Sequence, residues 1–205
     1  MNKNIHSFPR QIAEDHTISA AILFQFIATK VQRSKNIRNG KKWFYDSAAK
    51  IQERYNYIKT STIHENVRRL EKANLLEIDS FNPWPPDRTL WYHVPDEHLA
   101  AAGLKRISFD KTNVEKYGIA GAVLLFNLRH FLKMRLKKTN DLTVTHKMLP
   151  KLLATRLPFS EATIKSKLEE LVTGGAVLKP DRNKPEYRLP EVGMRDLRTD
   201  AMLKK

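Results

Sequence analysis

Two stretches of the chain open a helix in the same way. The first is "KTSTIHENVRRL", Lys59 to Leu70, and the second is "SEATIKSKLEEL", Ser160 to Leu171. Both contain Thr-Ile followed by a leucine seven residues after the isoleucine, and the two stretches are offset by 101 residues. The apolar spacing predicts an amphipathic helix in each stretch, and the constant offset indicates an internal repeat.

The repeat extends beyond these two helices. At the same offset, residues 18–76 match residues 119–177 without a gap, and the apolar positions are kept in three successive segments. The matched pairs include Ile22 with Val123, Ile51 with Leu152, Ile63 with Ile164 and Leu70 with Leu171. Two copies so far apart in the chain indicate duplicated domains rather than a solenoid.

Each copy has the same predicted order of elements: an apolar helix, a shorter amphipathic helix, a tight turn, a third helix and two short strands. In the first copy we expect these elements at about 17–35, 46–56, 60–73, 75–80 and 89–94. In the second copy we expect them at about 117–136, 146–156, 161–173, 176–179 and 186–190. This order is that of a winged helix-turn-helix, in which the strands form a hairpin after the third helix.

The expected fold class is therefore mainly α with small β-hairpins, built as two tandem winged helix-turn-helix domains. We expect domain 1 at 1–95, a linker at 96–112, domain 2 at 113–190 and a basic tail at 191–205. The first helix of each copy is too apolar for one small domain. These helices are expected to pack against each other or against a second subunit, which would make a homodimer.

The charge of the chain points to a polyanionic partner. Lys and Arg number 37 against 22 Asp and Glu among 205 residues, so the formal net charge is +15. The excess is uneven, with +4 in residues 1–100 and +11 in residues 101–205. A surplus of this size favours nucleic acid or an acidic protein surface as the partner.

Composition excludes several other classes of protein. The chain has no Cys, which removes disulfides, zinc fingers and cysteine nucleophiles. The start of the sequence lacks the apolar core of a signal peptide, and the apolar runs are shorter than the ~20 residues that span a bilayer. We therefore expect a soluble, cytoplasmic protein with no membrane partner.

The third helix of the first copy has the pattern of a DNA-reading helix. Ile63, Val67 and Leu70 form its apolar stripe. The candidate DNA-binding residues of the remaining faces are Thr60, Ser61, His64, Glu65, Arg68, Arg69 and Lys72. Arginine can bind guanine in a bidentate way, and Ser, Thr and His can reach bases or phosphates. The alternative is a solvated helix face held by ion pairs between residues four apart.

The third helix of the second copy is a weaker candidate. Its expected DNA-binding residues are Ser160, Ala162, Thr163, Lys165, Ser166 and Lys167. Two acids, Glu169 and Glu170, follow them on the same helix. This set suits phosphate contacts near the start of the helix, or contact with a protein, at least as well as base reading.

The hairpin loops add further candidates. In "NPWPPDR" the prolines stiffen a loop that carries Trp84 and Arg88, and Arg88 is expected to enter a minor groove or bind phosphate. Trp84 is expected instead to pack under its own loop. Arg182 and Lys184 in "PDRNKP" are the equivalent candidates in the second copy. The basic run 133–138 is either a solvated helix end or a DNA contact.

Motifs of common enzymes are missing from the sequence. It has neither a GxxxxGK[ST] phosphate loop nor GxSxG or GxGxxG. Its seven His form no HExxH or H-x-H pair that would hold a metal. We therefore expect a protein that is not an enzyme, with no catalytic residues, no metal site and no cofactor.

One part of the sequence resembles a known family. The segment "KKWFYDSAAKIQERYNYIKTSTIHENVRRLEKANLLEI", followed by "NPWPPDRTLWYHV", is similar to the winged-helix domain of phage and plasmid replication proteins. The motifs that carry the resemblance are Phe44 to Ser47, Thr62-Ile63, Leu70 to Leu76 and Asp87 to Tyr92, about a quarter of the chain. Lys59 departs from the capping serine of the family, which Ser160 keeps. The tandem arrangement resembles iteron-binding plasmid initiators.

The resemblance implies sequence-specific binding of double-stranded DNA by a protein of a phage, plasmid or satellite. The expected role is an origin-binding replication initiator that recruits a helicase or loader protein, with Glu169-Glu170 and the segment from Glu191 as the recruiting surface. Two alternatives stay open. One is a repressor that binds promoter DNA, since a fold does not decide a role. The other is an interaction protein that inhibits a partner.

Overall fold

A computed structural model describes residues 4–81, 89–101 and 105–202. The first half of the chain forms β1 (Ile5–Pro9), α1 (Arg10–Asp15), α2 (Ile18–Arg33), β2 (Asn36–Arg38), β3 (Lys41–Asp46), α3 (Ala48–Arg54), α4 (Thr60–Lys72), β4 (Glu77–Asp79), β5 (Leu90–His93) and α5 (Asp96–Ala101). The second half forms β6 (Arg106–Asp110), a 3-10 turn (Lys111–Asn113), α6 (Val114–Thr139), β7 (His146–Lys147), α7 (Pro150–Ala154), α8 (Glu161–Thr173), β8 (Glu186–Tyr187) and α9 (Glu191–Met202).

The predicted fold class is wrong. Of the described residues, 56% are helical and 17% lie in strands, so the chain is mixed α/β rather than a mainly α pair of winged helix-turn-helix domains. The largest of its sheets has four strands in the order β2-β3-β5-β4, with antiparallel pairing throughout. β2 and β3 were missed because the three residues of β2, all exposed, are too few for their alternation of polar and apolar residues to indicate a strand.

The chain divides into two compact units. The N-terminal unit is Ser7–Ile107, and the C-terminal unit combines Met1–His6 with Ser108–Lys205. β1 pairs with β6, and the division between the units runs through both strands. The segment 96–112, predicted to be a linker, therefore contains a helix and a paired strand.

The core of the N-terminal unit forms around α2. Ten of its residues are buried, and it packs against α1, α4, β3 and β5. Thr17 caps the start of α2 by accepting a hydrogen bond from the Ala20 amide at 3.0 Å. A nearly all-round apolar helix needs partners on every side, and the sheet and the two helices supply them.

The C-terminal unit forms around α6, which packs against α8 and α9. α6 is interrupted at Gly118, whose φ of 67° lies outside the helical range. The predicted second hairpin is reduced to a single bridge between Leu178 and Arg188, and β8 pairs with β7 instead. Residues 191–202, predicted as part of a basic tail, form α9 because Met194, Leu197 and Ala201 are buried on one face.

The repeat is visible in the local structure of both units. β6 lies 101 residues after β1, and α8 has the bounds of α4 shifted by the same offset. Asn74 and Gly175 follow these two helices with positive φ of 58° and 71°. In both copies the residue after this position donates its amide to the carbonyl five residues earlier. The Leu75 amide donates to the Leu70 carbonyl at 2.9 Å, and the Ala176 amide donates to the Leu171 carbonyl at 3.0 Å. This pattern is the Schellman C-cap.

Candidate nucleic-acid interface

Helix α4 is held by an apolar face and by one buried polar contact. The buried residues of this face are Ile63, Asn66, Val67 and Leu70. Asn66 is only 3% exposed, and its Oδ1 accepts a hydrogen bond at 2.8 Å from the hydroxyl of Thr17, which caps α2. Its Nδ2 donates to the Thr62 carbonyl at 2.8 Å. Because a buried amide with both ends satisfied has a defined orientation, this contact sets how α4 lies on α2.

The opposite face of α4 is a stripe of exposed polar side chains. Its members, at helical spacing, are Ser61, His64, Glu65, Arg68 and Lys72. The structure places all five of these predicted site residues together on one surface. Arg68 and Lys72 make no hydrogen bond or ion pair with any residue that the structure describes. Their donors are therefore available to a ligand.

Two other predicted residues of α4 are engaged within the protein. Arg69 is half-buried and pairs with Glu65 at 3.1 Å, four residues away. Thr60 donates a hydrogen bond to the Gln52 side chain on α3. Arg69 and Glu65 thus form the kind of ion pair that the alternative interpretation predicts. Arg68 forms no such pair with a described residue.

In α8 the predicted residues split into three groups. Ser160 caps the helix by accepting from the Thr163 amide at 3.1 Å, and the two hydroxyls lie 2.8 Å apart. Ala162, Lys165 and Ser166 are exposed. Lys167 is half-buried and pairs with Glu170 at 2.5 Å. Ser160 and Thr163 are exposed, but their hydroxyls contact each other at the start of the helix, where Ser160 serves as the cap.

Lys167 is directed toward α6 rather than toward solvent. A Cβ placed on Gly118 would lie 4.0 Å from Lys167 Nζ. At the offset of the repeat, Lys167 corresponds to Asn66 and Gly118 to Thr17, which are the two residues of the buried contact in the first copy. Lys167 therefore occupies the inward position of its helix. The register of the repeat could have indicated this from sequence.

The outward stripe of α8 has lost the cations of α4. At the offset of the repeat, Glu169 stands where α4 has Arg68, and Thr173 stands where α4 has Lys72. Lys165 and Glu169 line a groove of about 330 Å³, together with Tyr187. Burial, together with the charge of Glu169, raises the pKa of Tyr187. Of the two acids predicted to recruit a partner, Glu170 pairs with Lys167. Glu169 forms no ion pair with a described residue.

The loop candidates are placed only in the second copy. Trp84 and Arg88 lie outside the described residues. Arg182 is exposed, and its carbonyl accepts from Lys179 Nζ at 2.7 Å. Lys184 is exposed with its amine 3.7 Å from Asp181 Oδ2. These contacts order the loop locally and leave the Arg182 guanidinium at the surface.

One basic element was missed. The β2–β3 hairpin carries exposed Lys35, Arg38, Lys41 and Lys42 around an Asn39-Gly40 turn with φ of 50° and 74°. Arg38 lies over the Trp91 ring at 4.7 Å and the Phe81 ring at 5.1 Å, and Lys41 pairs with Glu77 at 2.6 Å. The Asn-Gly dipeptide was the available signal, because both positions of a tight hairpin turn require positive φ.

The end of α6 contains an aromatic contact, and two of its cations are engaged within the protein. Phe131 stacks on His146 with ring centres 4.3 Å apart and an interplanar angle of 12°. Within the run 133–138, Arg135 donates to the Thr145 carbonyl at 2.6 Å and Lys133 pairs with Asp200 at 3.3 Å. Burial and the nearby Arg135 charge lower the pKa of His146. At neutral pH His146 is therefore uncharged.

Other classes of site receive no support from the described part of the chain. There, no group of three His, Asp or Glu is placed to hold a metal ion. None of the helices in the described ranges has both the length and the apolar character needed to cross a bilayer. Comparisons with protein-family models, with curated proteins and with solved structures found no match to this chain.

Proposed function

We propose that the protein is a non-catalytic, sequence-specific binder of double-stranded DNA, with α4 as its reading helix. The observation that carries the proposal is the exposed stripe of Ser61, His64, Glu65, Arg68 and Lys72 on a helix whose opposite face is anchored. An anchored helix presents its side chains in a defined register, which base reading requires. An α-helix also fits the width of the major groove.

The chemistry of the stripe suits DNA better than an acidic protein surface. Arg68 has a free guanidinium that can donate two hydrogen bonds to the O6 and N7 atoms of guanine. His64, one turn earlier, and Ser61, two turns earlier, can reach phosphates or bases. Lys72, one turn later, supplies a cation for the DNA backbone. The net charge of +15 favours association with a polyanion.

The basic β2–β3 hairpin supports the same proposal. Lys35 and Lys42 are exposed, and neither forms an ion pair with another described residue. Arg38 is held over the rings of Phe81 and Trp91. Cations on a sheet edge can bind phosphates beside the groove that a helix enters. Such contacts set the position of the protein on the duplex but do not read its sequence.

The role we favour is origin binding in a phage, plasmid or satellite, in the cytoplasm. Its support is the resemblance of residues 41–94 to replication proteins of phages and plasmids. An origin binder without an ATPase motif has to recruit a helicase or loader protein. A promoter-binding repressor is the second candidate, because the same helix chemistry serves both roles. Genome-wide mapping of bound DNA separates them: promoter peaks, with replication unaffected by gene deletion, would favour repression.

The direct test compares two neighbouring arginines. A preferred duplex is first selected from random sequences, and its affinity is then measured against a scrambled duplex. Arg68→Ala should cost about 1–3 kcal/mol on the preferred duplex and relax the preference. Arg69→Ala is the matched control and should change affinity far less, because Arg69 is already paired with Glu65. Unchanged affinity and preference in Arg68→Ala would show that α4 is not the reading helix.

A further inference from the structure

The short helix α7 exposes leucines that its counterpart buries. None of the five residues of α7, all of which the structure describes, is buried. Leu152 is 47% exposed, and Leu149, directly before the helix, is 37% exposed. At the offset of the repeat Leu152 corresponds to Ile51, which is fully buried in α3. The second copy has thus kept an apolar residue at a position that no longer belongs to its core.

The backbone of this segment is well defined, so the leucines form a fixed surface. The Leu153 amide donates to the Leu149 carbonyl at 2.9 Å, and the Thr155 hydroxyl donates to the Leu152 carbonyl at 2.8 Å. Residues three and four apart on a helix are neighbours. Leu149 and Leu152, three residues apart, therefore lie on one side of this segment. We call the exposed residues of 147–156 the α7 surface.

The α7 surface is strongly basic. Lys147, Lys151 and Arg156 are exposed, and the segment 142–160 contains no Asp or Glu. None of these three cations has an ion pair with a residue in the described ranges. The surface thus combines two exposed leucines with three unneutralised cations.

We propose that the α7 surface binds an acidic amphipathic segment of a partner protein, with its apolar side on Leu149 and Leu152 and its carboxylates on Lys147, Lys151 and Arg156. A second copy of the chain would bring two basic surfaces together, which like-charge repulsion opposes. A nucleic acid would bind the cations and leave the leucines uncovered. Only an acidic, amphipathic occupant satisfies both halves of the surface. This inference goes beyond DNA binding and does not depend on it.

The test uses three synthetic peptides and the full chain. In the first peptide leucine and glutamate lie on opposite faces of a helix. The second replaces glutamate by lysine, and the third has the composition of the first in an order that gives no amphipathic helix. Fluorescence anisotropy should show binding of the first peptide only. Leu149→Ser/Leu152→Ser and, separately, Lys151→Glu should each weaken that binding roughly tenfold or more.

The matched control is Ile37→Ser, since Ile37 is 66% exposed in the β2–β3 hairpin and lies in the other unit. It should leave peptide binding unchanged. Equal binding of the three peptides, or an effect of Ile37→Ser as large as that of the leucine variants, would overturn the proposal. The proposal would also be overturned if the leucine variants bound the peptide normally but lost self-association or DNA binding. Duplex binding is measured on the same samples, so a failure of the DNA-binding proposal is distinguished from a failure of this one.

Discussion

Arg68 of α4 and Glu169 of α8 occupy equivalent positions in the repeat, and both side chains are exposed, but they carry opposite charges. The two helices share their bounds, their C-cap and their buried stripe. At a second position of the stripe, Thr173 of α8 stands where α4 has Lys72. The two copies thus share the framework of the third helix and differ in the charge of its exposed face.

We therefore expect the two positions to respond unequally to substitution. Arg68→Glu places a carboxylate toward phosphates and should weaken duplex binding by about a hundredfold or more. Glu169→Gln should change the same affinity by less than about threefold, because α8 contributes little to binding. Anisotropy titrations at one fixed salt concentration measure both. Similar losses in the two variants would mean that both helices contact DNA.

A second prediction concerns the salt dependence of binding. Lys72→Ala removes an exposed cation and should reduce the slope of log affinity against log salt by about 1, for every duplex sequence alike. Lys167→Met should leave that slope unchanged, since the Lys167 amine is paired with Glu170 and directed toward α6. Titrations at four salt concentrations suffice. A reduced slope in Lys167→Met would place this lysine on the DNA.

A third prediction concerns the two C-caps. Asn74→Ala and Gly175→Ala should each lower the free energy of unfolding by about 1–2 kcal/mol, because alanine is strained at positive φ. No atom lies within 4 Å of a Cβ placed on Gly175, so the cost there comes from the backbone alone. Urea denaturation measures it. Asn74→Gly is the control and should not destabilise the protein, as glycine accepts this conformation freely.

A fourth prediction concerns pH and His146. Its lowered pKa means that the folded protein disfavours the protonated ring, so the unfolded chain takes up the proton first as pH falls through about 6.5. The His146 contribution to stability is therefore complete above that pH and decreases below it, until the folded ring also titrates. His146→Phe keeps an aromatic ring beside Phe131 and cannot titrate.

Urea denaturation of the wild type and of His146→Phe at about pH 7.5 and pH 5.5 tests this. The wild type should lose more stability between the two pH values than the variant does. Because every other titrating group is common to both proteins, the difference isolates His146. Parallel losses would show that His146 is not linked to folding.

The sequence by itself determined the repeat and the third helix of each copy. The apolar residues of α4 and α8 recur with helical spacing, and Asn74 and Gly175 mark where each helix ends. Such local signals depend on the backbone geometry of a few consecutive residues, so they can be read without knowing the fold. The same register would also have identified Lys167 as an inward residue.

The tertiary structure alone decided the fold class, the pairing of strands and the state of each charged side chain. β2 joins the sheet by antiparallel pairing with β3, although it has only three residues and all of them are exposed. Arg69 is held by an ion pair with Glu65, while its neighbour Arg68 is left free among the described residues, and the two arginines look alike in the sequence. Leu152 is exposed where Ile51 is buried, because burial depends on which elements pack around a helix rather than on the helix itself.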